Sequence, residues 1–197
     1  MNKGLLIVLS GPSGTGKGTV CKALLKRHKD IALSVSCTTR APREGETEGV
    51  SYFFISHQKF ERMIDEDAFL EHAKVFDNYY GTPKEYVLNM LDEGKDVLLE
   101  IDVQGALKAK EAFGEGVYVF LVPPSMAELE NRIRGRGTET EQQIQTRLGK
   151  ATGEMKVIDQ YDYMIVNDDV DEVIGKVECI LAAERLKVSR NMDEIQF

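Results

Sequence analysis

Cysteine is scarce in this chain: Cys21, Cys37 and Cys179 are the only three in 197 residues, an odd number with no CxxC spacing. That excludes a disulfide-framed fold and a thiolate zinc site, and the thiols read as reduced groups in or near the core. Histidine is equally rare. His28, His57 and His72 lack metal-ligand spacing, so structural or surface roles are expected, and no side chain is assigned to a metal. No apolar run approaches the roughly 20 residues that span a bilayer. The apolar stretch near the amino end, residues 5–9, is too short for a secretory signal. Excess positive charge is missing as well: 25 Lys and Arg stand against 33 Asp and Glu, a net charge of −8. That excludes a nucleic-acid-coating surface and confines any anion site to a local positive pocket. Internal repeats and low-complexity tracts are absent too. These absences predict a cytoplasmic protein with neither a membrane nor a nucleic-acid partner.

What remains is an ordinary globular composition, 42% hydrophobic and 29% charged, in a chain long enough for one domain with insertions. Its most informative segment is residues 10–19, SGPSGTGKGT, set between the apolar run 5–9 and a helical pattern. A strand, a glycine-rich loop and a helix in that order bind nucleotide phosphates. Gly11, Gly14 and Gly16 let the backbone curl until its N–H groups point inward at an anion. Lys17 adds a mobile positive charge, and the start of the following helix adds the positive end of its dipole. The whole segment from Gly11 through Pro12, Ser13, Gly14, Thr15, Gly16, Lys17 and Gly18 to Thr19 is read as a nucleotide-phosphate site. In the common form of this loop the residue after the lysine is Ser or Thr, whose hydroxyl meets Mg2+. Here it is Gly18, and Thr19 lies about 100° further round the helix. Mg2+ is therefore expected to be held mainly by phosphates and water, which suits its reluctance to dehydrate.

Periodicity predicts a helix over 19–29, a strand over 31–38 and a polar loop over 39–50. Short strands at 52–55 and 73–76 flank a helix over 57–66, and Gly81 and Pro83 punctuate the chain before a helix over 84–93. The apolar runs 97–101 and 117–122 are buried strands. Ser125 and Glu128 form a capping box that opens a helix through about Arg134. A loop over 135–140, a long helix over 141–159, a strand over 163–166 and a helix over 170–188 complete the reading. The last helix either offers a dimer surface or covers the sheet, so monomer and homodimer both stand. Alternating strands and helices behind such a loop imply an α/β fold, a parallel sheet flanked by helices. Residues 37–93 break the rhythm and read as a small α+β insertion over the sheet's carboxyl edge, the core being 1–36 and 94–197.

Further motifs carry chemistry. Arg40 and Arg43, three apart in SVSCTTRAPR with hydroxyls just before them, suit bidentate phosphate recognition, although pairing with Glu44 or Glu46 explains them equally well. Tyr80 and Tyr52 can pack a ring and still offer an O–H to phosphate, whereas Tyr79 reads as core. Glu71, in an apolar patch, can accept guanine's adjacent N1–H and N2–H2 and would repel adenine's N1; a solvated carboxylate is the plainer reading. Glu100 and Asp102 end a buried strand on one face, toward metal or substrate, with a cap on the next helix as the alternative for Asp102. Arg132, Arg134, Arg136 and Arg147 crowd the loop GRGTET, which reads as a lid over about 132–147 that closes on phosphates.

Taken together, the segments GPSGTGKGT, SVSCTTRAPR, FLEHAKVFDNYYGTP, LLEIDVQGA, RGRGTET and IVNDD make the chain resemble the guanylate kinases over nearly its whole length. The resemblance implies transfer of the ATP γ-phosphoryl group to GMP or dGMP with Mg2+, and it makes residues 11–19 the site of the ATP phosphates. It implies that Ser36, Glu71, Thr82 and Asp102 hold guanine and that Arg40, Arg43, Tyr52 and Tyr80 hold the GMP phosphate. Glu100 would lie near the phosphates or metal. Lys17, Arg134, Arg136 and Arg147 would stabilise the transferring group, and Asn167 would lie near adenine. Other nucleoside monophosphate kinases share the loop and lid but not the set Glu71, Tyr80, Arg40 and Arg43. Guanylate-kinase-like protein-binding modules typically lose the phosphate loop or the lid arginines, which this chain keeps.

Overall fold

The computed structural model describes residues 3–75, 77–135 and 140–192. Arg136 and the middle of the predicted lid loop lie outside the described residues.

β1 (Leu6–Ser10) is buried along its whole length and forms the centre of the first sheet. It pairs in parallel with β7 (Asp96–Glu100) on one side and β8 (Val117–Val122) on the other. β2 (Ile31–Leu33) adds beyond β7 and β9 (Tyr163–Val166) beyond β8, giving the order β2-β7-β1-β8-β9, all parallel. Successive side chains of a strand point to opposite faces. Leu5, Ile7 and Leu9 therefore meet α1 (Lys17–Arg27) and α7 (Val170–Arg185), while Leu6 and Val8 meet α3 (Lys84–Asp92) and α4 (Val103–Phe113). α7 buries Val173, Ile174, Val177 and Leu181 in that first core, so its apolar face covers the sheet. The register sets Leu9 opposite Glu100 and Val122 opposite Val166. The segments after β1, β7 and β9 thus leave the sheet along one carboxyl edge, where such sheets bind ligands.

A second sheet is built from β3 (Cys37–Thr38), β4 (Phe53–Phe54), β5 (Phe69–Val75) and β6 (Asn78–Pro83), in the order β4-β3-β6-β5. α2 (His57–Asp65), capped by Ser56 through the Lys59 N–H, sets Phe60 between the rings of Phe69 and Tyr79, at 4.5 and 5.3 Å. That aromatic stack is the core of this smaller layer.

The structure corrects several expectations. The single strand over 31–38 is divided: after Ser34, whose N–H still bonds to the Leu98 carbonyl, the chain crosses to the second sheet. β6 was hidden by its Gly81 and Pro83, which read as turn signals; Pro83 ends the strand opposite Phe69, where no further ladder donor is needed. α4 is the helix that follows Asp102, which caps it by accepting the Gly105 N–H at 2.9 Å. The helix expected over 141–159 is α6 (Glu141–Glu154) followed by a 3-10 turn, Met155–Gln160, with a break at Val157. Ser125 caps α5 (Met126–Arg134) through the Glu128 N–H, and the full reciprocal capping box belongs instead to Thr140 and Gln143 on α6. The last helix ends at Arg185 and a short α8 (Val188–Asn191) follows. Cys21 and Cys37 are buried as expected, but Cys179 is exposed. No described helix is long and apolar enough to cross a membrane.

Candidate active site

A cleft of about 470 Å3 opens along that carboxyl edge. One wall is the glycine-rich loop, with Gly11, Ser13, Gly14, Gly16, Lys17, Gly18 and Thr19 on its surface. The loop is fixed from behind. Gly16 adopts φ +89°, and a Cβ there would meet the Asn167 amide nitrogen at 2.6 Å. That amide donates to the Thr15 carbonyl at 2.5 Å, and Asn167 is only 3% exposed. Pro12, Thr15 and Asn167 therefore shape the loop without lining the cleft; the Thr15 hydroxyl donates to the Pro12 carbonyl at 2.8 Å. Lys17 Nζ folds over the loop and donates to the Gly11 and Pro12 carbonyls at 2.7 and 3.1 Å. Burial lowers the Lys17 pKa, and Glu100, Glu154 and Asp102 partly offset this.

The floor is the end of β7 and the turn into α4. Glu100 faces the cleft beside Gly18, where an added Cβ would lie 3.3 Å from Glu100 Oε1. A side chain after the lysine would press on this carboxylate, and Gly18 leaves it room. Desolvation raises the Glu100 pKa, and Lys17 is the chief opposing influence. A hard divalent cation takes oxygen ligands, and Glu100 supplies a carboxylate at that point. Among the described residues no cluster of three or more His, Cys, Asp or Glu side chains is arranged to hold a metal by itself.

The facing wall comes from the second sheet: Ser36, Arg43, Tyr52, Glu71 and Tyr80. Glu71, 5% exposed, accepts the Thr82 hydroxyl on Oε1 at 2.6 Å. Its Oε2 lies so close to Gly105 that a Cβ there would come within 2.7 Å, so α4 can approach only through a glycine. Burial pushes the Glu71 carboxyl up to about 7, with the Thr82 hydrogen bond opposing. A raised carboxyl pKa favours the protonated folded state. Its contribution to stability is full below the ordinary carboxylate value and is lost as pH rises through about 7. Asp102, half-buried, is both helix cap and cleft residue, so the two readings of it hold together.

The lid arginines divide. Arg147 lines the cleft and donates to Ser13 Oγ at 3.1 Å. Arg134, expected at the transferring group, instead donates from Nε to Glu130 at 2.8 Å and forks onto Glu141 at 2.5 and 2.7 Å on the exposed side. Glu130 lies one helical turn before Arg134 and Glu141 opens α6, so both carboxylates are local competitors. Arg40 also stands off the cleft surface, paired with Glu46 at 2.8 and 3.0 Å, and Thr82 stands behind Glu71. Arg136 lies outside the described residues. Six residues of the cleft lining lie outside the sequence reading, Lys22, Ala73, Val75, Ile101, Lys150 and Glu154, and the last two share a helix with Arg147. Their signal was available, since Arg147, Lys150 and Glu154 follow the i, i+3, i+7 spacing of one helix face. Among the described residues, Ser34 Oγ, Arg40 Nε, Asp102 Oδ2, Tyr118 OH and Asn167 Oδ1 are buried without a hydrogen-bond partner. Three of the five belong to residues picked out from the sequence, and of these Asp102 lines the cleft.

The guanylate kinase family model matches residues 3–184 of the chain. The chain is 59% identical to guanylate kinase of Caldanaerobacter subterraneus subsp. tengcongensis, over 97% of its own length and 93% of the relative's. It is 56% identical to the Clostridium tetani guanylate kinase, over 99% and 93%. In structure it resembles guanylate kinase from Anaplasma phagocytophilum, with a TM-score of 0.82 at 38% identity, covering 98% of this chain and 93% of that one. The SH3-kinase fragment of tight junction protein 3 shares the fold alone, with a TM-score of 0.53 at 10% identity, covering 95% and 60%.

Proposed function

The chain belongs to the guanylate kinase family of phosphotransferases, and we propose that it moves the γ-phosphoryl group of ATP onto GMP or dGMP across this cleft. The observation that carries the reading is the opposition of Lys17 on one wall to the buried Glu71 on the other, within one cleft. The loop, from Gly11 to Thr19, takes the ATP phosphates, with Asn167 holding its curve and standing near adenine. Glu71, Thr82, Ser36 and Asp102 take guanine; Arg43, Tyr52, Tyr80 and Arg40 take the acceptor phosphate. Residues 1–36 and 94–197 are the core, 37–93 the acceptor-binding insertion and about 132–147 the lid. Such an enzyme works in the cytoplasm as a monomer or homodimer.

The acceptor oxygen is already anionic, so no general base is needed and catalysis rests on positioning and charge neutralisation. The ATP phosphates and water would hold Mg2+, which would supply charge neutralisation there, and Glu100 offers a carboxylate on the floor of the cleft. Lys17 and Arg147 add donors to the developing charge, and the walls exclude water that would otherwise hydrolyse ATP. A coupled assay of ATP-dependent phosphorylation of GMP, dGMP, AMP, CMP and UMP tests the reading. GMP and dGMP are the expected acceptors; equal use of AMP overturns it.

Base recognition makes a second demand. Guanine's two donors need the ionised carboxylate, yet Glu71 in the free protein titrates at about 7. GMP binding near neutrality should therefore release a proton, and the GMP KM should rise as pH falls below about 7. Calorimetry in buffers of different ionisation enthalpy measures the release. Glu71→Gln provides the reference that removes the phosphate's own ionisation near pH 6. The same substitution leaves a donor facing donors and should raise the GMP KM roughly ten- to thousand-fold. An unchanged KM with an unchanged proton count would make Glu71 a bystander.

A further inference from the structure

Arg40 accounts for its hydrogen-bonding positions in an uneven way. Nη1 donates to Glu46 Oε2 at 3.0 Å and to the Ala41 carbonyl at 2.7 Å. Nη2 donates to Glu46 Oε1 at 2.8 Å. Glu46 and Ala41 take neither the N–H of Nε, which is buried and without a partner, nor the second N–H of Nη2, and the Tyr80 hydroxyl also bonds to this guanidinium. Those two N–H groups lie along one edge of the planar guanidinium, the edge that makes two parallel hydrogen bonds to an oxyanion. The plane is held by the rings of Tyr52 and Phe54, whose centroids lie 5.5 and 5.9 Å from the guanidinium carbon. Tyr80, which interacts with Arg40 through its hydroxyl, lines the cleft and marks the side toward it.

Glu46 is itself fixed by local sequence. The Glu46 N–H donates to the Arg43 carbonyl at 3.0 Å, closing a four-residue turn, and Gly45 at its third position has φ +80°, the value a type II turn requires. The turn brings the carboxylate back so that Oε2 also accepts the Arg43 N–H at 2.7 Å. The chain of dependence runs from Gly45 through Glu46 to Arg40.

We propose that Glu46 is a positioning residue for the acceptor phosphate: by occupying the end of the Arg40 guanidinium, it presents the remaining Nε–Nη2 edge to the phosphate. The inference rests on the reading of Arg40 as a phosphate ligand. It means that the two pairings weighed for Arg40 from the sequence, with phosphate and with Glu46, use different edges and coexist. It also means that the clamp recognises phosphate by geometry more than by gross charge, since Glu46 cancels one of the two guanidinium charges.

A double-mutant cycle on the intact enzyme tests this, with melting temperature confirming that each variant folds. Arg40→Met should raise the GMP KM about a hundredfold and Glu46→Gln about tenfold, the range for charge-assisted hydrogen bonds. In both, the ATP KM should stay within about threefold, and guanosine, which lacks the phosphate, should bind as to the wild type. Glu46→Asp keeps the charge but retracts the carboxylate, and should raise the GMP KM as Glu46→Gln does. The double variant should be no worse than Arg40→Met alone. A double variant worse by the full effect of Glu46→Gln would show that Glu46 acts apart from Arg40 and overturn the proposal. So would a lower GMP KM in Glu46→Gln, which would make the carboxylate a place-holder that phosphate displaces. If Arg40→Met left the GMP KM unchanged, the reading of Arg40 would fall first and this inference with it.

Discussion

Lys17→Ala is expected to fold like the wild type and to lose kcat by a factor on the order of 10³ or more. The two halves of that expectation come from the same geometry. Lys17 reaches no part of either apolar core; its ammonium is held by the Gly11 and Pro12 carbonyls of the loop it serves. Burial of its charge outweighs the attraction of the nearby carboxylates, so removing the ammonium relieves a desolvation cost that offsets the hydrogen bonds lost. The loop keeps its curve through Asn167, the Thr15 hydroxyl and the conformation of Gly16, none of which needs Lys17. What disappears is the cation of the loop itself, the one that offsets the nearby carboxylates of Glu100, Glu154 and Asp102 from that wall of the cleft. Phosphates entering that cleft without Lys17 would meet carboxylates with less to offset them, and the developing charge of transfer would gain nothing from the loop's side chain. Thermal melting and steady-state kinetics on the variant check both halves. Unchanged melting with near-wild-type turnover would remove Lys17 from the chemistry.

The loop could be read from sequence because anion binding by backbone N–H groups needs contiguous residues, so the whole device sits in residues 10–19. β1, β7 and β8 were equally legible, since strands buried on both faces are apolar throughout. Legibility fails where one residue serves two purposes. Gly81 and Pro83 are turn residues by habit and strand residues here. Asp102 reads as cap or as site residue, and it both caps α4 and lines the cleft. Arg40 was weighed between Glu46 and phosphate, and only the assignment of each N–H shows that the two are compatible. The extent of α4 is hard to read for another reason: its buried residues, Val103, Gly105, Ala106 and Ala109, are small, and small residues give weak periodicity. The course of Arg134 toward Glu130 and Glu141 depends on how α5 and α6 meet, a tertiary fact that no local spacing reveals.

That divergence among the lid arginines sets up the other large effect. Arg147→Ala should lower kcat on the order of 10³, the low end for an arginine that meets a transferring phosphoryl group, with the ATP and GMP KM values little changed. Arg147 is placed for this role by α6: it shares a face with Lys150 and Glu154, lines the cleft and touches Ser13 of the loop. Its planar fork matches phosphate oxygens in a way that lysine does not, so Arg147→Lys should recover little. Arg134→Ala provides the contrast. Its guanidinium already pairs with two carboxylates on the exposed side, and reaching the cleft would require giving up both. In this arrangement its loss should cost kcat at least tenfold less than the loss of Arg147. Equal losses would mean that the lid exchanges these ion pairs for phosphate contacts when it closes, and the division of roles drawn from the structure would be wrong. A change confined to the ATP KM in Arg147→Ala would assign that residue to ground-state binding, because only a contact stronger in the transition state than before it can act on kcat.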